Sequence, residues 1–414
     1  MANTLINSTL LSKQSAAYFK TNNTFIATAN RQYDGIFRDN TYDAGQTINI
    51  RLDNQHKVQR GNSVTASDIK ETYLPLTLRD LYTVYINYST IDLSTTLRYN
   101  SWKDRVLLPA VRNIISDINK DIALDAVNSA YLSNGTPGTP INTFAAVDNT
   151  GAIMVGQGID KGKEWFLSLN PYDASALKSA LQNSFNTTLN EEISFGSQLG
   201  KLSHFTVFED QSIAAHQSYT GTYGTPVVNG AVSSGNTIVA AGFDDGGGAG
   251  VTGMLKKGDI IEITHATLQP YFVNRVNKIN SRQKAQFLVT ADVNVAIGGA
   301  ATIPVNPTIN IDTDDPNQNL SGAIPDGATI TVIRNSTDGL QNVNIAYPSC
   351  GLYAVCPPLE KLDACDSSTF MDPETGWSVR ISKGSSIGNN VNQLRLDVLC
   401  GWVWIPSQIV RLVS

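Results

Sequence analysis

The chain has 414 residues, of which 41% are hydrophobic and 16% charged, and its formal net charge is −6. That length exceeds what one compact core usually holds, so two or more domains are expected. The acidic balance argues against a basic reader of nucleic acid, the lack of an apolar run of about 18 residues against a membrane-spanning helix, and the ordinary apolar content against extended disorder.

The opening Met-Ala-Asn-Thr-Leu-Ile-Asn has neither the basic nor the apolar region of a signal peptide. The expected compartment is the cytoplasm where the chain is made. Residues 1–35 are polar with scattered apolar anchors, Leu5, Leu10, Leu11, Tyr18, Phe19 and Phe25, and read as an extended or partly helical arm. In 46–52, Ile48, Ile50 and Leu52 point one way and Thr47, Asn49 and Arg51 the other, which predicts a half-buried strand. A polar stretch, 53–72, follows. Alternation then resumes, with Leu74, Leu76, Leu78, Tyr82, Val84, Ile86 and Tyr88 all at even positions. Two strands joined by a long polar excursion predict a projecting hairpin, and long loops of this kind are usually functional.

The best helix signal spans 101–132. Ser101-Trp-Lys-Asp104 resembles a capping box, and Pro109 predicts a kink or a fresh start. Leu107, Val111, Ile114, Ile118, Ile122 and Ala126 form one stripe, and Asn134-Gly135 is the expected stop. A second helix follows Asn170-Pro171, with Asp173 as its expected N-cap. Phe205–Phe208 reads as a strand.

From 219 to 342 short strand candidates alternate with glycine-rich turns. The candidates are Thr237–Ala241, Asp259–Thr264, Tyr271–Val276, Gln286–Val293 and Thr329–Arg334. Even spacing without helical periodicity predicts an inserted small barrel or sandwich. Val343–Val355 and Ser378–Ile381 then read as strands. Leu394, Leu396, Val398, Cys400, Trp402 and Trp404 predict a long closing strand, covered on both faces near its end.

Chemistry is hard to find. Cys350, Cys356, Cys365 and Cys400 contain no CxxC pair, and His56, His204, His216 and His265 are scattered, so neither zinc nor a disulfide is expected. The run Asp244-Asp245-Gly246-Gly247-Gly248-Ala249-Gly250 lacks a following Gly-Lys-Ser/Thr. Asp312, Asp314 and Asp315 lack calcium-loop spacing. A nucleophile–base pair of Cys350 with His204 or His216 is set aside because Cys350 lies in an apolar stretch. No catalytic, cofactor or metal residue is nominated, and no enzyme is expected.

Several stretches carry a family resemblance. Arg105-Val-Leu-Leu-Pro-Ala-Val-Arg112, continuing to Asn119-Lys-Asp-Ile122, resembles the entry of a spine helix; Leu169-Asn-Pro-Tyr-Asp173 resembles the next domain's helix start. Leu255-Lys-Lys-Gly-Asp-Ile260, Phe287-Leu-Val-Thr-Ala-Asp-Val293 and Gly299-Ala-Ala-Thr-Ile303 resemble strands of an insertion domain. Leu340-Gln-Asn-Val-Asn-Ile345 and Gln393-Leu-Arg-Leu-Asp-Val-Leu-Cys-Gly401 resemble the return to the core and the closing strand. In this order they resemble the Hong Kong 97-type capsid proteins of tailed phages, and among those the P-twenty-two-type coat proteins with an insertion domain.

The resemblance implies an α+β Hong Kong 97-like fold with an inserted all-β barrel-like domain. It implies an N-terminal arm (1–35) that laps a neighbour, a peripheral domain (36–134) with the extended loop (53–72) and the spine helix (101–132), an axial domain (135–218 and 343–414), and the insertion (219–342). It further implies a major capsid protein of a double-stranded DNA phage, assembling with itself into pentamers and hexamers of an icosahedral head. The expected partners are scaffolding protein, portal protein and packaged DNA held by proximity, with room for decoration proteins; the expected location is the virion. Arg51, Lys57, Arg60, Asp68, Lys70 and Glu71 are the loop's charges and the candidate intersubunit contacts. Two other readings stand beside this one: an encapsulin-like compartment shell, which the insertion argues against, and a β-rich carbohydrate-binding or adhesin protein, which fits 219–342 but not the spine helix.

Overall fold

The computed structural model describes residues 8–21, 24–33, 47–56, 58, 60–62, 69–79, 81–89, 103–181, 200–244, 250–363, 365–372, 376–386 and 391–414. Two compact units result. The first contains Met1–Ile50, Leu74–Ile122 and Leu352–Val403, the second Arg51–Tyr73, Ala123–Gly351 and Trp404–Ser414.

In the first unit a four-stranded antiparallel sheet runs in the order Asp366–Met371, Ser378–Ser386, Val391–Val398, Tyr82–Ser89. Helix α1, Ser8–Thr21, lies against it. Ser8 Oγ donates to Asp366 Oδ1 at 2.7 Å, and the Ser12 and Ser368 hydroxyls are 3.4 Å apart. Leu11 and Ala16 are buried. A short helix α2, Phe25–Thr28, buries Phe25 and Ile26. Thr47–Arg51 pairs with Tyr73–Thr77 in the expected hairpin, and Ile50, Leu76, Leu78 and Val355 form a small core.

The alternation from Leu74 to Tyr88 is not one strand. Tyr73–Thr77 and Tyr82–Ser89 belong to different sheets. Between them Arg79 N donates to Cys400 O at 3.0 Å, and the Arg79 guanidinium stacks 4.1 Å from the Trp402 ring centroid. The connection spans an even number of residues, so the two-residue parity survives it and conceals the break.

A π-helical turn, Lys103–Leu107, leads into α3, Leu108–Val127, about 30 Å long at 1.5 Å per residue. Pro109 sits in its first turn, where a missing N–H costs nothing. The expected stripe is buried throughout, from Leu107 to Ala126. The helix stops earlier than expected, however, and Leu132–Gly135 is a strand. It pairs in parallel with Val410–Val413, and Gly135, at φ +98°, brings its backbone so close that a Cβ would lie 2.3 Å from Val413 O. Val410–Val413 supplies ladder bonds that a fraying helix end lacks.

The second unit is built on a sheet in the order Leu132–Gly135, Val410–Val413, Leu340–Pro348, Trp165–Leu169, Phe205–Glu209, Lys201–Leu202, with Ala215–Gln217 beside Leu340–Pro348. Trp165–Leu169 is buried at every position, so it shows no alternation, and sequence periodicity does not mark it. Helix α4, Phe144–Gly156, was likewise not expected. Thr143 caps it by accepting from Ala146 N at 3.3 Å; its Thr150 and Gly151 lower helix propensity, and Gly151 lets the helix pack closely on Phe205.

Helix α5, Pro171–Leu181, starts two residues before the expected cap. Asn170 Oδ1 accepts from Tyr172 N at 3.0 Å. Asp173 lies inside the first turn instead, buried, and accepts from Asn344 Nδ2 at 2.8 Å and Ser414 Oγ at 2.7 Å. A polar residue near a helix start is ambiguous until its partners are known.

The inserted segment closes into a six-stranded barrel. Its order is Ser234–Phe243, Ala301–Asn310, Gln286–Val289, Ile260–Thr264, Thr329–Ile333, Gly224–Val228. Ile238, Ile261, Ile263, Phe287, Val289, Ile303, Val305 and Ile330 are buried in it. Tyr271–Val273 pairs with Asn280–Lys284 outside the barrel. Gln286–Val293 divides into Gln286–Val289 and Val293–Val295. The ten-residue strand Ala301–Asn310 contains Pro304 and Pro307, and these hide it from strand propensity.

Candidate assembly surfaces

Among the described residues no group of three or more His, Cys, Asp or Glu side chains could hold a metal. All four cysteines are free thiols. Burial pushes the Cys350 and Cys400 thiols up, which disfavours the thiolate. The candidate bases are engaged elsewhere. His204 packs edge-on against Trp165 with ring centroids 5.7 Å apart, and His216 Nε2 lies 2.8 Å from Asp259 Oδ1. Residues 245–249 of the glycine run lie outside the described residues.

The extended loop holds the nominated charges. Arg51, at the end of its strand, and Arg60 are exposed. Lys57 and Asp68 lie outside the described residues. Glu71 accepts from the Tyr73 hydroxyl. Lys70 Nζ donates to Asp315 Oδ2 at 2.7 Å within the same chain. Partial burial pushes the Asp315 carboxyl up, but bonds from Lys70, the Asn317 N–H and Asn310 outweigh it and hold the group below its ordinary range. Lys278 Nζ donates to Gln55 Oε1 at 2.7 Å and to Gln318 O at 3.3 Å. Burial, then repulsion from Arg275, lowers its pKa to about 8. Two lysines thus fasten the loop to turns of the inserted segment. Beside these anchors Val58 is 84% and Ile69 68% exposed. Apolar side chains this bare suit contact with another chain.

Sequence reasoning missed the polar centre where the barrel meets the sheet. Asp259 is buried; its Oδ1 accepts from Ser218 Oγ at 2.6 Å beside His216, and its Oδ2 accepts from Lys256 N at 2.7 Å. The buried Arg411 Nη1 donates to Gly258 O at 2.8 Å, and its Nη2 donates to Val127 O. The available signal was a charged residue inside the apolar run Ile409-Val-Arg-Leu-Val413. A second centre lies in the first unit, where the buried Asp397 accepts from Arg380, Arg395 and Thr83 at 2.7 to 3.1 Å. Each centre ties separate segments of its own unit together.

A loop with bare apolar residues, a long helix with a buried stripe and an inserted barrel suit a subunit that works through contacts with other chains. A family model described as P22 coat protein, gene protein 5, matches residues 63–410. The chain therefore belongs to the P22 coat protein family. It is similar to the major capsid protein of Acyrthosiphon pisum secondary endosymbiont phage 1, with 23% identity over 321 residues and 72% of each chain covered. Two solved structures are also similar. The capsid of Ralstonia phage GP4 aligns over 96% of this chain and 90% of that one, at 7% identity and TM-score 0.47. Mycobacterium phage Che8 aligns over 94% and 90%, at 10% identity and TM-score 0.46. Membership rests on the family match. The chain is thus a phage coat protein, a structural component of the virion, with an α+β fold.

Proposed function

We propose that copies of this chain form the pentamers and hexamers of an icosahedral head around double-stranded DNA, with the extended loop as a principal contact between neighbours. The observation that supports this reading is the exposure of Val58 and Ile69 beside the exposed Arg60, between the two strands of the hairpin. A loop between strands supplies contact area beyond that of a compact subunit, in moderate contacts that repeat by symmetry. The net charge of −6 suits a container that encloses DNA by proximity, since a lining that gripped every phosphate would oppose release. A scaffolding protein, a portal and the inserted barrel's contacts with adjacent capsomers belong to the same reading. So does the assignment of 1–35, 36–134, 135–218 with 343–414, and 219–342 as arm, peripheral, axial and inserted parts.

Electron microscopy of the chain expressed with and without a scaffolding protein tests it. Closed shells of uniform size are expected with scaffold. Soluble monomers under both conditions would overturn the reading, and shells filled with a cellular enzyme would favour the encapsulin-like alternative.

A further inference from the structure

We propose that Cys356 and Cys400 are a redox pair, which a peroxide closes into an intrachain disulfide that locks the sheet of the first unit. The spacing of the cysteines in the sequence does not suggest it; the strand register does. Leu352–Val355 and Gly401–Trp404 pair as a two-stranded ribbon. Ile405 N donates to Gly351 O at 2.9 Å, so the end of the second strand meets the start of the first. The ribbon is therefore antiparallel, with Leu352 facing Trp404 and Val355 facing Gly401. One step further along the same register, Cys356 faces Cys400. The ladder ends just short of them because Pro357 has no N–H to donate.

Facing residues of an antiparallel pair put their side chains on one side of the ribbon. Here that side is the interior: Cys356 and Cys400 are 1% and 0% exposed, and the buried Leu352, Trp402 and Trp404 share their face. Arg79 N donates to Cys400 O at 3.0 Å, so the Cys400 carbonyl points away from Cys356. The two therefore form a pair without mutual hydrogen bonds, the kind in which Cα atoms approach to about 4.5 Å. A disulfide accepts Cα separations from about 4.4 to about 6.8 Å. Cys356 is also among the groups that raise the Cys400 thiol, as a second ionisable sulfur close by does. Both residues are thiols in this structure. Peroxide oxidises one thiol to a sulfenic acid and releases water; the second thiol attacks that sulfur, forms the S–S bond and releases a second water. The sulfurs give up two electrons and the peroxide takes them. The loop closed between 356 and 400 holds Asp366–Met371, Ser378–Ser386 and Val391–Val398, three strands of the four-stranded sheet. The link thus restrains the unfolded chain where that sheet is built. A virion protein works outside the reducing cell, where such a bond persists.

Hydrogen peroxide treatment of the folded chain decides it. The variant C350S/C365S keeps only this pair of cysteines. Oxidation should remove both of its thiols, lower its mass by two hydrogen atoms and give no dimer on a non-reducing gel; dithiothreitol should restore both thiols. The oxidised subunit should melt about 5 °C or more above the reduced one. In the unmodified sequence the same treatment should link the tryptic fragments 335–361 and 396–411. Because 335–361 also carries Cys350, C356S must abolish the link and C350S must leave it. Thiols that persist, sulfurs oxidised without a link, or links between chains would overturn the pair. An oxidised chain that melts no higher than the reduced one would overturn the lock. None of these outcomes bears on the shell reading.

Discussion

His216 Nε2 and Asp259 Oδ1 lie 2.8 Å apart in the interior of the second unit. The contact joins Ala215–Gln217, beside the large sheet, to the turn that opens barrel strand Ile260–Thr264. Ser218 and the Lys256 N–H share the same carboxylate. Removing it strands three donors. D259A should therefore cost about 3–5 kcal/mol, the usual consequence of breaking a buried charged network. Urea unfolding of the dissociated subunit measures this, and a loss below about 1 kcal/mol would show that the centre is incidental.

The same geometry bears on the inserted segment as an isolated fragment. Residues 219–342 contain all six barrel strands and should fold alone as a β-rich domain without appreciable helix. That fragment omits His216 and Ser218, so Asp259 loses two of its donors. A fragment extended to 212–343 should be more stable by about 1–3 kcal/mol. Circular dichroism and denaturant titration of the two fragments test both statements; a helical or random-coil spectrum would count against the domain.

The loop charges divide into two kinds. Arg60 is exposed, whereas Lys70 is bonded to Asp315 in its own chain. R60E should leave the subunit's melting unchanged and weaken assembly, most at low salt where screening is least. K70E should also loosen the loop from the inserted segment, visible as faster proteolysis of 53–72 in free subunits. Normal particles from the R60E/K70E double variant at low salt would argue against this loop as an interface.

Lys278 supplies a pH signature. Its pKa falls from 10.5 in an exposed lysine to about 8 here. Below about pH 8 folded and unfolded chains both carry the charge, and the folded state bears its full desolvation cost. Between about 8 and 10.5 the folded chain releases the proton while the unfolded chain keeps it, so this residue's contribution to stability rises with pH. K278M should flatten that rise. Melting temperatures of both proteins at pH 7.5 and 9.5 provide the comparison, and parallel shifts would mean that Lys278 is not the group responsible.

The sequence by itself determined the α+β class, the spine helix and its buried stripe, the hairpin and the barrel-like insertion. It could do so because each depends on local periodicity: one face of a helix, alternate residues of a half-buried strand, turns between short strands. It also determined the absence of a recognisable catalytic motif, since such motifs are local too. Features without local periodicity stayed hidden. Trp165–Leu169 is covered on both faces, Ala301–Asn310 carries two prolines, and α4 carries Gly151, which its packing on Phe205 accounts for. The even-numbered break between Thr77 and Tyr82 left the alternation looking continuous.

Only the tertiary structure decided what the polar residues do. Asp173 resembles a helix cap in sequence and is a buried acceptor for Asn344 and Ser414, 171 and 241 residues away. Lys70 belongs to the loop's charges and is bonded to Asp315, 245 residues distant. Asp259, Arg411 and Asp397 are unremarkable in a list of charges and become the centres that join strands. A charged side chain is defined by the partners that compensate its desolvation, and those partners are set by how the chain folds back on itself.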